Sequence, residues 1–185
     1  MGVEWCILSS SKKKTIFLDR DGVINQQAAI HEYIKSWEEF HFLDGVPQAI
    51  AALKTDGYRI CIITNQRGIA RRKMTLEDVK HLHHCMCDAL KKQGAEIDEI
   101  YICPHNDGEC SCRKPEIGMF LQAERDCPVD KNRSWMIGDS GSDIEAGKNY
   151  GVKTIYIGDS LEFGADMVAS SLFEAVKKIK LLNQK

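Results

Sequence analysis

Short apolar runs alternate with amphipathic stretches along most of this chain. Thr15-Ile16-Phe17-Leu18 predicts a buried strand over about Lys14–Asp19. Tyr58–Thr64, Ile97–Ile102, Ser134–Ile137 and Lys153–Ile157 read as further strands, and Met167–Val168 as a short sixth. Between them, Val46–Thr55 predicts a helix, because Val46, Ile50 and Leu53 share one face and Gly57 stops it. The strongest helical pattern runs from Thr75 to Gly94. It opens on the capping-box pattern Thr75-Leu76-Glu77-Asp78 and repeats Val79, Leu82, Met86 and Leu90. Ile117–Glu124, a segment opened by Ser142-Asp143-Ile144-Glu145 and ended by Gly151, and Ser171–Leu182 complete the helices. Asn25 to Asp44 predicts a polar loop carrying Tyr33, Trp37, Phe40 and Phe42.

Strands alternating with helices imply βαβ units and a doubly wound, Rossmann-like, mostly parallel α/β sheet with helices on both faces. Ligands of such sheets bind beyond the carboxyl ends of the strands. Asp19 and Asp21, Thr64 and Asn65, and Asp139 all fall at those ends. A length of 185 residues fits one domain with a full core. Residues 1–13 are weakly patterned and are expected as a lead-in to a single domain over 14–185.

Charge narrows the partners. Lys and Arg number 25 against 27 Asp and Glu, for a net charge of -2, with no large basic block. A nucleic-acid partner is not expected. No apolar run is long enough to span a bilayer, and no basic region precedes Trp5-Cys6-Ile7-Leu8 as in a signal peptide. Eight cysteines in a core-rich chain without export signals fit reduced thiols and a cytoplasmic protein better than a disulfide framework. Cys6, Cys61 and Cys127 are expected as packing residues.

Two carboxylates spaced i, i+2 at a strand end are unfavourable unless a cation sits between them or one holds a proton. On strand alternation Asp19 and Asp21 point the same way and Arg20 points opposite. Asp21-Gly22 also suits an ordinary turn. The wider set favours phosphoryl chemistry. A carboxylate nucleophile attacking phosphorus divides hydrolysis into two steps. It needs a divalent cation, groups that hold phosphoryl oxygens, a lysine, and a second acid to protonate the leaving alcohol. Asp19, Asp139, Thr64, Lys114 and Asp21 can fill these places in turn, and their hard oxygens suit Mg²⁺. Thr64 could equally be a plain strand-end hydroxyl, and Lys114 a solvated loop lysine.

Leu18-Asp19-Arg20-Asp21-Gly22-Val23-Ile24-Asn25, Ile63-Thr64-Asn65-Gln66, Arg113-Lys114-Pro115 and Gly138-Asp139-Ser140-Gly141-Ser142-Asp143 resemble, in order, the four motifs of the haloacid dehalogenase superfamily of phosphatases. The resemblance implies Asp19 as nucleophile and Asp21 as general acid/base. It implies Mg²⁺ held by the Asp19 carboxylate, the Asp21 backbone carbonyl and Asp139, and a phosphoryl group held by Thr64 and Lys114. A supporting role at the metal is open for Asp143, which the helix dipole alone would also explain.

Cys103, His105, Cys110 and Cys112 form a C-x-H-x₄-C-x-C cluster, suited to a closed tetrahedral Zn²⁺ site. With four protein ligands the zinc would be structural, stiffening the loop that delivers Arg113 and Lys114. The nearby His81-Leu82-His83-His84-Cys85-Met86-Cys87 is expected to be ordinary helix positions. Two branches of the superfamily carry such a loop: the D-glycero-D-manno-heptose 1,7-bisphosphate 7-phosphatases and the histidinol-phosphate phosphatases. The stretch from Asp19 to Asn25, Gly68-Ile69-Ala70-Arg71, and Tyr33 ahead of Phe40-His41-Phe42-Leu43 are more similar to the heptose branch. That resemblance places Tyr33, Thr64, Asn65, Gln66, Arg67, Arg113 and Lys114 at the substrate. Arg67 stands where the heptose enzymes usually have serine, and Ser140 where several have lysine; the Asn25–Asp44 loop is also longer. The segments between motifs leave no room for a cap domain. The expectation is a monomeric, capless phosphatase acting on a small sugar bisphosphate, free of nucleic acid and membrane. Histidinol phosphate is the alternative substrate, and a non-catalytic regulatory module of the same fold the alternative class.

Overall fold

The computed structural model describes residues 11–29, 32–161 and 163–183. Six strands form one sheet: β1 (Thr15–Leu18), β2 (Arg59–Asn65), β3 (Glu99–Cys103), β4 (Trp135–Gly138), β5 (Lys153–Ile157) and β6 (Met167–Ala169). Their order is β3-β2-β1-β4-β5-β6, and each neighbouring pair is parallel. Among the described residues four α-helices connect them, α1 (Val46–Thr55), α2 (Leu76–Lys91), α3 (Gly118–Asp126) and α4 (Gly141–Tyr150), and α5 (Leu172–Asn183) follows β6.

A strand's period of two splits the core between the two faces of the sheet. Ile16, Leu18, Ile60, Ile62, Trp135 and Ile137 pack on one side with α1, α2 and α5. Phe17, Cys61, Ile63 and Met136 pack on the other with α3 and α4. There Phe17, Phe120 and Tyr150 meet ring to ring, with centroids 4.7 to 5.8 Å apart.

The expected elements all form, and α1 and β5 keep their expected bounds. At α4 the cap differs. Ser140, not Ser142, is the N-cap: its backbone N–H and hydroxyl both donate to the Asp143 carboxylate, at 3.1 and 2.7 Å. The helix therefore begins as soon as the chain leaves β4. Most of the expected lead-in, residues 1–10, lies outside the described residues, but Lys13 already bridges to Val129. Cys127, expected as a packing thiol, is disulfide-bonded. The loop before α1 packs on its own aromatics, with Trp37 stacked on Phe40 and Phe42 edge-on to both.

The strand order reverses direction at β1 and β4, the central pair. That reversal opens a crevice at their carboxyl ends, where connections depart to opposite faces. Between Asp21 and β2 the described chain holds only the aromatic loop and α1, so among the described residues no cap domain covers this crevice.

Candidate active site

β1 ends at Leu18 and releases Asp19 directly into the crevice, its N–H donating to the Ile137 carbonyl of β4 at 3.0 Å. The chain then turns sharply. The carbonyl of Arg20 accepts from the N–H groups of Val23, Ile24 and Asn25, and Gly22 takes φ +83°. A Cβ on Gly22 would lie 1.8 Å from the Asp139 carboxylate, so only glycine lets these two loops approach. Because the strand stops at Leu18, alternation does not extend to Arg20. Its guanidinium turns onto Asp21, with Nη2 at 2.7 Å from both carboxylate oxygens.

Lys114 is the centre of charge. Its Nζ lies 2.6 Å from Asp19 and 2.6 Å from Asp143, and donates to the Ile63 carbonyl at 2.7 Å. The ammonium group is buried, so the solvated-loop reading fails. Burial works against its charge, but Asp143 and Asp19 more than reverse that and raise its pKa. Burial pushes the Asp19 carboxyl up to about 7, against the pull of Lys114. Burial, then the charge of Asp143, lifts Asp139 to about 6. Burial also opposes the Asp21 charge; there Arg20 and hydrogen bonds from Asn25 and Gln66 outweigh it and hold the carboxyl below its usual range.

The second motif braces these groups. Asn65 exchanges two hydrogen bonds with the backbone of Lys114, at 3.0 and 3.1 Å. Gln66 Nε2 donates to the buried Thr64 hydroxyl at 2.9 Å and to Asp21 at 3.1 Å. Asn65 and Gln66, expected at the substrate, thus hold catalytic candidates in place. Both also line, with Arg20, Asp21, Gln27 and Tyr33, a cavity of about 170 Å³ beside Asp21.

Ligand oxygens of Asp19, Asp139 and Asp143 lie within 4.8 Å of one another. Three carboxylates this close, two of them pushed toward protonation, fit a hard divalent cation. The Gly22 turn supplies backbone to the same place. Asp143 spends its charge on Lys114 and caps α4 through Ser140, a structural task that accounts for it without a metal.

β3 ends at Cys103 and feeds the cysteine loop. The donor atoms of Cys103, His105, Cys110 and Cys112 also fall within 4.8 Å of one another, with Sγ–Sγ distances of 3.1 to 3.6 Å. This donor set fits tetrahedral Zn²⁺. The same loop carries Asp107, which ion-pairs with both Arg67, at 2.8 Å, and Arg113. Buried Arg113 Nη1 has no partner among the described residues. Tyr33 accepts a hydrogen bond from Arg71 at 3.1 Å.

Four residues of this site carried no expected role. Gln27 donates to Asp139, and Asp107 joins the two arginines. Arg20 and His83 form a buried pair behind Asp21. For His83 a signal existed: it lies four residues after Val79 and three before Met86, on the apolar stripe of α2, where an imidazole needs a polar partner.

Known proteins share this architecture. The family model for Polynucleotide kinase 3 phosphatase matches residues 14–162. A D-glycero-beta-D-manno-heptose-1,7-bisphosphate 7-phosphatase of Rhodopseudomonas palustris is 42% identical over 152 residues, spanning 78% of this chain and 83% of its own. A protein of the same name from Haemophilus ducreyi is 38% identical over 179 residues, 89% of this chain and 97% of its own. Among solved structures, the D,D-heptose 1.7-bisphosphate phosphatase of B. bronchiseptica, complexed with magnesium and phosphate, superposes with a TM-score of 0.82 at 33% identity. It covers 93% of this chain and 99% of that one.

Proposed function

Because the chain belongs to the D-glycero-beta-D-manno-heptose-1,7-bisphosphate 7-phosphatase family of the haloacid dehalogenase superfamily, we propose that it hydrolyses the 7-phosphate of that sugar bisphosphate. The observation that carries the reading is the buried Asp19–Lys114–Asp143 ion triad at the strand switch point. It holds one carboxylate of the Asp19/Asp21 pair beside a fixed cation, while Arg20, Asn25 and Gln66 hold the other apart from it.

Asp19 attacks the 7-phosphorus, forming an aspartyl-phosphate as the P–O bond to the sugar breaks. The departing oxygen keeps the bonding pair and takes a proton from Asp21. Asp21 then removes a proton from water, which attacks phosphorus and frees Asp19. Lys114 and the Thr64 hydroxyl stabilise the phosphoryl oxygens. Asp19, the Asp21 carbonyl and Asp139 would hold Mg²⁺, which when bound screens the carboxylates from the phosphate dianion. Cys103, His105, Cys110 and Cys112 would hold a structural Zn²⁺.

Arg67 and Arg113 face one anion already, the side chain of Asp107. Asp107 is 63% exposed and can yield that place to a second phosphate. This supports a bisphosphate over histidinol phosphate, whose single phosphate is consumed at Asp19.

The test is phosphate release with Mg²⁺ from both heptose bisphosphate anomers, histidinol phosphate and common sugar phosphates. Heptose bisphosphate is expected to lead in kcat/KM, and Asp19→Asn to lose about a thousandfold or more. Preference for histidinol phosphate would reassign the substrate. Undiminished turnover by Asp19→Asn would remove the nucleophile, and an inactive wild type would leave a non-catalytic module.

A further inference from the structure

The geometry points to His83 as a positioning residue that acts through Arg20 to fix the carboxylate of Asp21. This rests on the phosphatase reading above, with Asp21 as the group that protonates the leaving alcohol.

Arg20 is 1% exposed and His83 4%. A guanidinium so deeply buried needs an acceptor for each donor face or loses much of its hydration without return. Nε and Nη2 are spent on Asp21, at 2.7 to 3.2 Å. Nη1 lies 3.3 Å from His83 Nε2, its acceptor among the described residues. Arginine carries donors only, so Nε2 must accept and the ring proton sits on Nδ1. That Nδ1 is buried with no partner among the described residues.

An orphaned buried N–H gives up its hydration with nothing in return. Packing alone gives no reason to keep it on the apolar stripe of α2; what it satisfies there is the buried Nη1 of Arg20. What the imidazole supplies is a neutral acceptor at a fixed distance. Its ring is held by α2, a helix docked in the core, and so it fixes the far end of the Arg20 guanidinium. The planar fork transmits that orientation to both oxygens of Asp21. Asn25 and Gln66 contact the same carboxylate from other directions, at 2.9 and 3.1 Å. Proton transfer to a departing oxygen depends steeply on where the donor oxygen sits. The Arg20–His83 pair thus sets the geometry of the proton carrier without touching substrate.

The consequence is selective. In the first half-reaction the Asp19 Oδ–P bond forms and the P–O ester bond breaks, with the electron pair leaving on oxygen. A sugar alkoxide needs the Asp21 proton in that step; p-nitrophenolate leaves without one. Because kcat/KM reads only steps through departure of the leaving group, later water activation by Asp21 does not enter it.

The experiment compares kcat/KM for heptose bisphosphate and for p-nitrophenyl phosphate in the full chain with Mg²⁺. The variants are His83→Leu, His83→Gln and Arg20→Lys. His83→Leu is expected to lose about tenfold on the sugar phosphate and no more than about twofold on the aryl phosphate. His83→Gln, whose side-chain oxygen can accept from Arg20, is expected to recover most of the loss. Arg20→Lys, which cannot bridge Asp21 and His83 as a fork, is expected to show the same split if His83→Leu does not fold. Equal losses on both substrates, or no loss on either, would overturn the assignment while leaving the phosphatase reading intact. A wild type that releases phosphate from neither substrate would overturn both.

Discussion

At the scale of single residues, the site is a problem of buried charge, and Lys114 carries most of it. Its ammonium group answers two carboxylates, Asp19 and Asp143, at 2.6 Å each. Removing one member of such a set leaves uncompensated charge in the core, at a cost of about 3–5 kcal/mol. Lys114→Met is therefore expected to destabilise the protein by that order in urea unfolding without added Mg²⁺, as well as to abolish turnover. His83 makes a prediction of a different kind. Burial, then the charge of Arg20, lowers its pKa from 6.5 to about 3. In the unfolded chain the imidazole takes a proton first. Its contribution to stability is thus present above pH 6.5 and is lost as pH falls toward 3. Thermal melts between pH 7 and 4 are expected to fall less steeply in His83→Gln than in the wild type. Parallel curves would mean that His83 is protonated in the fold as readily as out of it.

At the scale of elements, three local devices hold the site. The α2 capping box forms where the sequence marks it, with Asp78 N–H to Thr75 Oγ1 at 3.1 Å and Thr75 N–H to Asp78 at 2.8 Å. Thr75→Ala is expected to cost about 1 kcal/mol of stability, read by denaturant unfolding. The Gly22 turn allows Asp139 its close approach. The cysteine loop links β3 to Lys114, and a tetrahedral Zn²⁺ would convert a long polar loop into a rigid arm. Cys112→Ser is expected to eliminate tightly bound Zn²⁺ in a metal analysis and to lower activity by loosening Lys114 and Arg113. Full zinc content in that variant would rule out the four-ligand site.

At the scale of the whole molecule, an uncapped crevice must select its substrate by the rim alone. Arg67 and Arg113 approach that rim from different elements, one following β2 and one following the cysteine loop, and meet at Asp107. The Arg113 hydrogen bond and charge hold the Asp107 carboxyl below its usual range, so it is the anion that a second phosphate would have to displace. Arg67→Ala is expected to lower kcat/KM for heptose bisphosphate about tenfold, equivalent to about 1.4 kcal/mol. The same change is expected to affect heptose 7-phosphate much less. Equal losses would place Arg67 in loop structure alone.

The sequence by itself determined the strands, the helices and the parallel α/β class, because apolar periodicity and capping are local properties read within a few residues. It also marked Asp19, Asp21, Thr64, Lys114, Asp139 and the cysteine loop, since each sits at a strand end or in a short, chemically distinct motif. Only the tertiary structure decided what those groups do to one another. That Lys114 is buried against Asp19, and that Gln66 braces Asp21, depends on contacts across 95 and 45 residues of chain. Ser140 and Ser142 present the same capping pattern in sequence, and only the exit point of β4 selects the first. His83 shows the limit most plainly. On a helix stripe it reads as one more packing position, and it gains a role because folding brings the side chain of Arg20, 63 residues earlier, against its ring.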